Sequence, residues 1–407
     1  MTDTPIKLAI AGAGGFAEFI SDLALREGEN CQPRVQLVGV AEPDTTTHAA
    51  RLASLRQRGV RTTPNFDELL ADPAIEAVWL PLPIHLHRPF AERALAAGKA
   101  VMTEKPVAGA VQDVDAMIAA RDRAGKPAAV GFQHVYDPAT ALLKRWLIEG
   151  RIGTIRHATL HACWPRAVQY FQRNRWAGRC RLDGQWVMDS PANNALSHFV
   201  NLALFMLGPS LAESAPPQRI EAELYRAHAV ENFDTISARA HLAGGVTLLA
   251  LMTHACAQRV GPILRIEGTH GSLAWSYEQI EVTSRGTTER IVGEVDSSKH
   301  MLERFARLVR GLPDERRLVS TLETARAQVL LVNAASEATP IVPVLPAQIR
   351  RFDQDGFTWV AIEKIEEVMT QCAARQQMLH ESGQLPFTRP SGSLETRDYR
   401  QFAGPKT

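Results

Sequence analysis

LAIAGAGGFA, residues 8–17, reads as a short apolar strand that breaks into a glycine turn, Gly12-x-Gly14-x-x-Ala17. A helix pattern follows through Phe19, Ile20, Leu23 and Leu25. Gly12 can take a tight turn that a side chain would block. Gly14 lets a pyrophosphate come against the backbone, and Ala17 is small enough for the helix to sit on the strand. The N–H groups at the helix start, around Gly15 and Phe16, then face the phosphates. A glycine turn with no ligand has the same spelling, so the motif takes its meaning from what surrounds it.

Outward from this turn the chain alternates strand and helix patterns. Residues 35–40 form a second apolar strand that leads to Glu42. A carboxylate there can accept from both ribose hydroxyls of a dinucleotide and repels a 2′-phosphate, which favours NAD over NADP. A solvated carboxylate at a strand end is the alternative reading. Then come a helix over 45–58, a strand at 60–63, a helix from Asn65, a buried strand at 75–80, a helix over 89–97 stopped by Gly98, and a strand at 99–103. Such alternation predicts a parallel sheet with a ligand crevice at the carboxyl ends of its strands. The glycine turn, Glu42, the loop with Leu82, Pro83 and His87, and the pair Glu104–Lys105 all fall on that edge. A helix over 111–124 and a strand at 127–131 close a first domain, residues 1–131.

The 407 residues suffice for two cores, and a net charge of +1 offers no electrostatic case for nucleic acid or an anionic membrane. No secretory leader pattern opens the chain, and no window is long enough for a membrane span. The five cysteines are scattered without CxxC spacing. They read as reduced thiols of a cytoplasmic protein, and no metal site is expected.

The start GxGxxA, the loop PxxxH at 83–87, AGKAVMTEKP at 97–106 and VGFQHVYDPA at 130–139 together resemble the Gfo/Idh/MocA oxidoreductases, from residue 6 to about residue 345. The resemblance implies an α/β protein with an N-terminal Rossmann domain, a doubly wound parallel sheet. After it comes a C-terminal α/β domain over 132–345 with an open, mostly antiparallel sheet, often a dimer or tetramer interface. It also implies NAD as cofactor, places Gln133 near the nicotinamide, and puts the main chemistry on Lys105. An ammonium beside a reacting hydroxyl stabilises developing alkoxide charge and can relay the proton. A plain ion pair between Glu104 and Lys105 is the alternative.

In the second half, 137–149 reads as a helix and 154–164 as a long strand. His157 and His161 on one face of that strand read as satisfied histidines, not metal ligands. The stretch 170–208 is the informative one. Arg173 and Trp176 belong to a basic-aromatic loop expected to touch substrate. Asp189 and Ser190 read as caps, and Pro191 as the first turn, of a helix from about Ala192. On that helix Asn194, His198 and Asn201 share one polar face at i, i+4 and i+7, expected to line a site. In the family this helix carries Asp-x-x-x-His, and the histidine acts with the lysine as acid and base. Here His198 keeps the histidine, while Asn194 stands at the aspartate. An amide can hydrogen-bond a hydroxyl or orient an imidazole but holds no negative charge. Asn193 extends an amide-rich face suited to hydroxyls.

Strand patterns then recur at 222–227, 235–242, 246–254, 263–267 and 272–275, with helices over 297–310 and 321–336. The family's chains end soon after the second helix. Here residues 346–407 continue, with an amphipathic helix expected over 358–382 and a last dozen residues expected to be loose or to swap onto a neighbour. The expectation is an NAD-dependent dehydrogenase, a homo-oligomer, acting on a sugar or polyol hydroxyl through Lys105, His198 and Asn194. Two alternatives are a glycoside-cleaving enzyme that retains its NAD and a non-catalytic dinucleotide or sugar sensor.

Overall fold

The computed structural model describes residues 4–293, 297–312 and 319–407. The chain divides into two units, one of Met1–Ala108, Asp113–Asp137 and Asp296–Ala325, the other of Gly109–Gln112, Pro138–Val295 and Arg326–Thr407.

In the first unit the opening pattern becomes β1 (Ile6–Ala11) and α1 (Phe16–Glu27). There follow β2 (Val35–Ala41), α2 (Ala49–Gln57), β3 (Arg61–Thr63), α3 (Phe66–Leu70), β4 (Ala77–Leu80), α4 (His87–Ala96), β5 (Ala100–Thr103), α5 (Val111–Ala124) and β6 (Ala128–Val130). The six strands pair in the order β3-β2-β1-β4-β5-β6, every pairing parallel. Every residue of β4 and β5 is buried, as expected of a parallel sheet covered on both faces. This is the doubly wound sheet that the alternation implied.

The second unit begins with α6 (Pro138–Ile148), β7 (Ile155–Cys163), α7 (Val168–Gln172), β8 (Arg181–Leu182) and β9 (Gln185–Trp186). Next are α8 (Ser197–Met206), β10 (Arg219–Arg226), β11 (Thr235–His241), β12 (Thr247–Thr253), β13 (Val260–Gly268), β14 (Gly271–Trp275), β15 (Ile280–Ser284) and β16 (Thr287–Ile291). Helix α9 (Ser298–Val309), expected in the second domain, belongs to the first unit. There Phe305 meets Trp79 edge-on at 6.1 Å and Lys299 pairs with Glu27 at 3.6 Å. After α10 (Leu322–Ala338) come β17 (Ile341–Pro343), β18 (Ile349–Gln354), β19 (Phe357–Ile362), α11 (Ile365–Arg375), α12 (Leu379–Ser382) and β20 (Gly392–Glu395).

Ten strands form one sheet in the order β16-β15-β14-β13-β7-β12-β11-β10-β17, with β20 also on β10. It is mostly antiparallel; β7–β12 and β10–β17 run parallel. Alternation along β12 shows how the sheet is buried. Leu248, Ala250 and Met252 join a core with Phe199, Leu202 and Val332, while Leu249 and Leu251 join a second core with Val360, Ile365 and Met369. The second face is therefore covered by residues after 345.

Three expectations about this unit are corrected. The helix expected from Ala192 is a short 3-10 turn, Pro191–Asn193, broken at Asn194 (φ −152°, ψ −96°) before α8 starts at Ser197. Asn194 therefore does not share a helical face with His198 and Asn201. The break fits two adjacent asparagines whose amides bond away from a helix, Asn193 to Val187 O and Asn194 to Asp189 and Tyr170. The helix expected over 358–382 is a hairpin, β18–β19, followed by the shorter α11 and α12, because 357–362 is β-rich (FTWVAI). The final residues are anchored: Phe402 is buried, its N–H donates to Gln112 Oε1 (3.0 Å), and Lys406 N–H donates to Ser336 O (2.7 Å).

Candidate functional site

The glycine turn at the end of β1 has the backbone its sequence requires. Gly12 sits at φ +103°, its N–H bonds Ala41 O at 2.7 Å, and a Cβ there would stand 3.3 Å from that of Ala17. Gly15 is at φ +57°. The N–H groups of Gly14, Gly15 and Phe16 find no acceptor among the described residues, a donor set that fits a pyrophosphate. Gly14 has a second reason to be glycine, since a Cβ would lie 2.3 Å from His48 Cε1.

Glu42 follows β2 and is almost fully buried. Its carboxylate accepts from Ala13 N (2.9 Å) and Asp44 N (2.8 Å), which ties the acidic turn to the glycine turn. A negative charge fixed beside this turn suits ribose hydroxyls and opposes a 2′-phosphate.

Leu82 and Pro83 lie on the loop after β4, where Pro83 precedes a 3-10 turn, Ile84–Leu86. His87, expected among the cofactor contacts, is wholly buried instead. Its Nδ1 donates to Pro106 O (3.0 Å), with Val107 O at 3.3 Å. Burial holds its pKa down at about 4, so the ring is neutral. His87 thus pins the turn that follows Lys105. Glu104 is also buried. Trp79 Nε1 donates to its Oε1 (3.0 Å) and Lys105 N–H to its Oε2 (3.2 Å). Burial pushes its pKa up to about 7. Gly131 leaves room for it, since a Cβ there would meet Glu104 Oε1 at 2.5 Å. Gln133 opens the 3-10 turn after β6, half-buried, with its N–H on Gly131 O. In this unit the structure gathers the glycine turn with Glu42, and separately sets Glu104, Lys105 and His87 around one turn.

In the second unit Arg173 and Trp176 form an aromatic-basic cluster around Tyr170. The Arg173 guanidinium lies 3.7 Å from the Tyr170 ring centroid and 5.0 Å from that of Trp176, and Arg166 lies 4.4 Å from Tyr170. Asn194 Nδ2 donates to Asp189 Oδ1 (2.7 Å) and to the Tyr170 hydroxyl (3.3 Å). Asp189 Oδ2 accepts from Gly178 N, so this residue is not the helix cap expected of it; Ser190 caps the 3-10 turn, accepting from Asn193 N at 3.2 Å. Asn193 is inside the protein. Its amide bonds Val187 O (3.1 Å) and Gln328 (3.0 Å), which makes it a packing residue and not part of an open amide face. His198 is half-buried on the first turn of α8, and Asn201 on the same helix is fully buried.

Sequence reasoning passes over Tyr170, Arg166 and the role of Asp189. Tyr170 opens the informative stretch, yet its spacing carries no signal that sets it apart from its neighbours. Sequence reasoning also passes over a cavity of about 460 Å3 lined by Phe171, Asn174, Arg175, Arg179, His228 and Arg351. His228 at its wall is locked, with Nδ1 on Asp234 (2.8 Å) and Nε2 on Arg166 O (3.1 Å). His157 bonds Glu267 at 2.9 Å, and His161 lies 3.6 Å from Cys163 Sγ.

A profile described as an oxidoreductase family with an NAD-binding Rossmann fold matches residues 6–132, and the same family's C-terminal domain profile matches 140–274. Together they take in more than half of the chain. The chain belongs to the Gfo/Idh/MocA family. Its first unit therefore carries the family's NAD-binding Rossmann fold, and the donors of the glycine turn fit that cofactor. An uncharacterized oxidoreductase of Rhizobium meliloti is 45% identical over 123 residues, 30% of this chain and 34% of its own. The chain thus spans about a third of the length of that relative. A dTDP-3,4-didehydro-2,6-dideoxy-α-D-glucose 3-reductase of Streptomyces violaceoruber is 26% identical across 84% of this chain and 98% of its own. Among solved structures, levoglucosan dehydrogenase in complex with NADH and levoglucosan matches with a TM-score of 0.68 and 18% identity, covering 81% of this chain and 96% of that one. No described helix of this Gfo/Idh/MocA protein is long and apolar enough to cross a membrane.

Proposed function

We propose that this protein is an NAD-dependent dehydrogenase that oxidises a hydroxyl of a sugar or polyol. The observation that carries the reading is the turn after β5. There a buried carboxylate and a buried neutral histidine hold the backbone on either side of Lys105. A lysine whose backbone is fixed from both sides can present its ammonium with little loss of freedom on binding. Relatives named for sugar and polyol substrates, levoglucosan dehydrogenase and inositol 2-dehydrogenase among them, support the substrate class.

NAD, held by the backbone donors of Gly14, Gly15 and Phe16 and by Glu42, would supply the hydride acceptor for the carbinol carbon. The chain's own residues handle the proton and the charge. The Lys105 ammonium stabilises negative charge growing on the substrate oxygen, and the His198 imidazole takes the hydroxyl proton. Arg173 and Trp176 hold the sugar ring, and Asn194 bonds its hydroxyls. Glu42 selects NAD over NADP through the ribose. The homo-oligomer implied by the family resemblance is part of the same proposal and is checked by light scattering.

The test is a spectrophotometric screen for NADH formation across polyols, aldoses and glycosides, with NADH binding followed by fluorescence. Lys105→Ala is expected to keep NADH affinity within a few-fold and to lose about 10²–10⁴ in turnover. Unchanged turnover in that variant removes the lysine from the chemistry.

A further inference from the structure

We propose that Tyr170 and Asn194 act as a matched donor–acceptor pair for two adjacent hydroxyls of the substrate, and that Asp189 is the positioning residue that fixes which atoms they present. This rests on the dehydrogenase reading and narrows its substrate to a vicinal diol.

Asn194 Nδ2 carries two hydrogens. One goes to Asp189 Oδ1 at 2.7 Å and the other to the Tyr170 hydroxyl at 3.3 Å. An amide nitrogen has no more to give, so its carbonyl Oδ1 is all that Asn194 can offer a ligand. That oxygen accepts no hydrogen bond among the described residues, and the residue is half-buried, at the edge between interior and solvent. Asp189 cannot turn away, because it is buried and its other oxygen accepts from Gly178 N at 2.5 Å. The backbone break at Asn194 brings it back to Asp189; a continuous helix would carry it off.

The Tyr170 hydroxyl is the complement. Its oxygen accepts from Asn194, and its own hydrogen has no acceptor among the described residues. The ring is held by the guanidinium groups of Arg166 and Arg173 and by edge contacts to Phe171 (5.2 Å) and His254 (6.3 Å). Burial, and then the Asp189 charge, raise its pKa, so the phenol keeps its proton at neutral pH and can donate it. An acceptor and a donor thus flank one amide nitrogen. One hydroxyl of a diol donates to Asn194 Oδ1 while its neighbour accepts from Tyr170; a lone alcohol uses only one of them.

Asparagine, not aspartate, fits position 194 in this arrangement. An aspartate there would face Asp189 across hydrogen-bond distance, carboxylate against carboxylate.

The experiment uses the full chain and the polyol with the highest kcat/KM in the NADH screen. Asn194→Asp is expected to raise KM about tenfold above neutral pH, since one good hydrogen bond to substrate and one repulsion are at stake. The loss shrinks as pH falls and one of the facing carboxylates takes a proton. The double variant Asn194→Asp with Asp189→Asn removes the facing carboxylates, and its KM is expected to fall severalfold below that of Asn194→Asp and to lose its pH dependence. Tyr170→Phe raises KM about fivefold or more with NADH affinity unchanged. A double variant no better than Asn194→Asp, or a KM indifferent to both Tyr170→Phe and Asn194→Asp, overturns the proposal. If no polyol forms NADH, the dehydrogenase reading fails by itself. The pair is then read by calorimetric binding of myo-inositol, D-glucose, D-xylose and levoglucosan to the same variants, and no binding to the parent overturns the pair as well.

Discussion

Glu104 shows how much can hang on one side chain. Its carboxyl is buried, and its pKa stands at about 7 against an ordinary 4.5. The folded state therefore holds this proton more tightly than the unfolded chain does. Its contribution to stability is fully present below pH 4.5 and is lost as pH rises through about 7. A shift from 4.5 to about 7 amounts to on the order of 3 kcal/mol. Glu104→Gln is neutral throughout, so the fall in urea midpoint across that window should flatten in the variant. An identical slope in both proteins would place the titration elsewhere. Glu42 is a second side chain on which much depends. Its carboxylate joins the glycine turn through Ala13 N and Asp44 N. Glu42→Ala removes the negative charge, and NADH fluorescence titrations against NADPH should show the preference for NADH falling by about tenfold, of the order expected for one lost unit charge at short range. The glycine turn and the strand ends that carry Glu42 and Lys105 are legible in the sequence, because short motifs set their own backbone. The His87 and Glu104 roles are not, because both depend on what packs behind them.

At the scale of elements, legibility follows how locally each one is determined. The six-strand parallel sheet is readable from alternating apolar runs, and β7 and the strands from β10 to β14 from strand patterns with turns between neighbours. The break at Asn194 is not, because periodicity alone extends a helix across SPANNALSH. Only the pull of Asp189 and Tyr170 on the Asn194 amide fixes where the break falls. The tail hides its hairpin for a related reason: FTWVAI is β-rich, but the strand is settled only by β18 pairing alongside it. One clue is present, since every residue from Leu248 to Thr253 on β12 is buried. A strand apolar on both faces needs two covers. The second cover is α11, with Met369 fully buried against Cys163, whose Sγ lies 3.8 Å from its Sδ. Met369→Ala should cost about 2–5 kcal/mol, read by urea unfolding of the second unit's transition, while NADH affinity stays the same. A cost below about 0.5 kcal/mol would mean that this helix only rests on the sheet.

For the molecule as a whole, the consequence is that residues 346–407 complete a core and are not an appendage. The far face of the large sheet carries Tyr225, Leu249, Leu251 and Cys163, all essentially buried, against Val360, Ile362, Ile365, Val368, Leu379 and Phe387. The cover is also pinned by polar bonds. Glu223 accepts from Tyr225, the His380 backbone and the His380 ring, and Arg239 forms a two-pronged pair with Glu381. Each buried apolar side chain on the tail contributes about 1.5–3 kcal/mol relative to exposure. The six together are comparable with the roughly 5–15 kcal/mol by which an ordinary domain is stable. A chain ending at residue 345 is therefore expected to be insoluble, or to bind a hydrophobic dye with its near-ultraviolet circular dichroism lost, because it bares a continuous apolar face. A chain ending after Phe387 keeps α11 and the hairpin but loses β20, which pairs with β10 at the sheet edge, and the anchor at Phe402. That chain should fold cooperatively with a lowered Tm. The ordering of the two truncations matters more than either value. If the shorter chain unfolded with the Tm of the full protein, the sheet would stand without its second cover, and residues 346–407 would be an appendage after all.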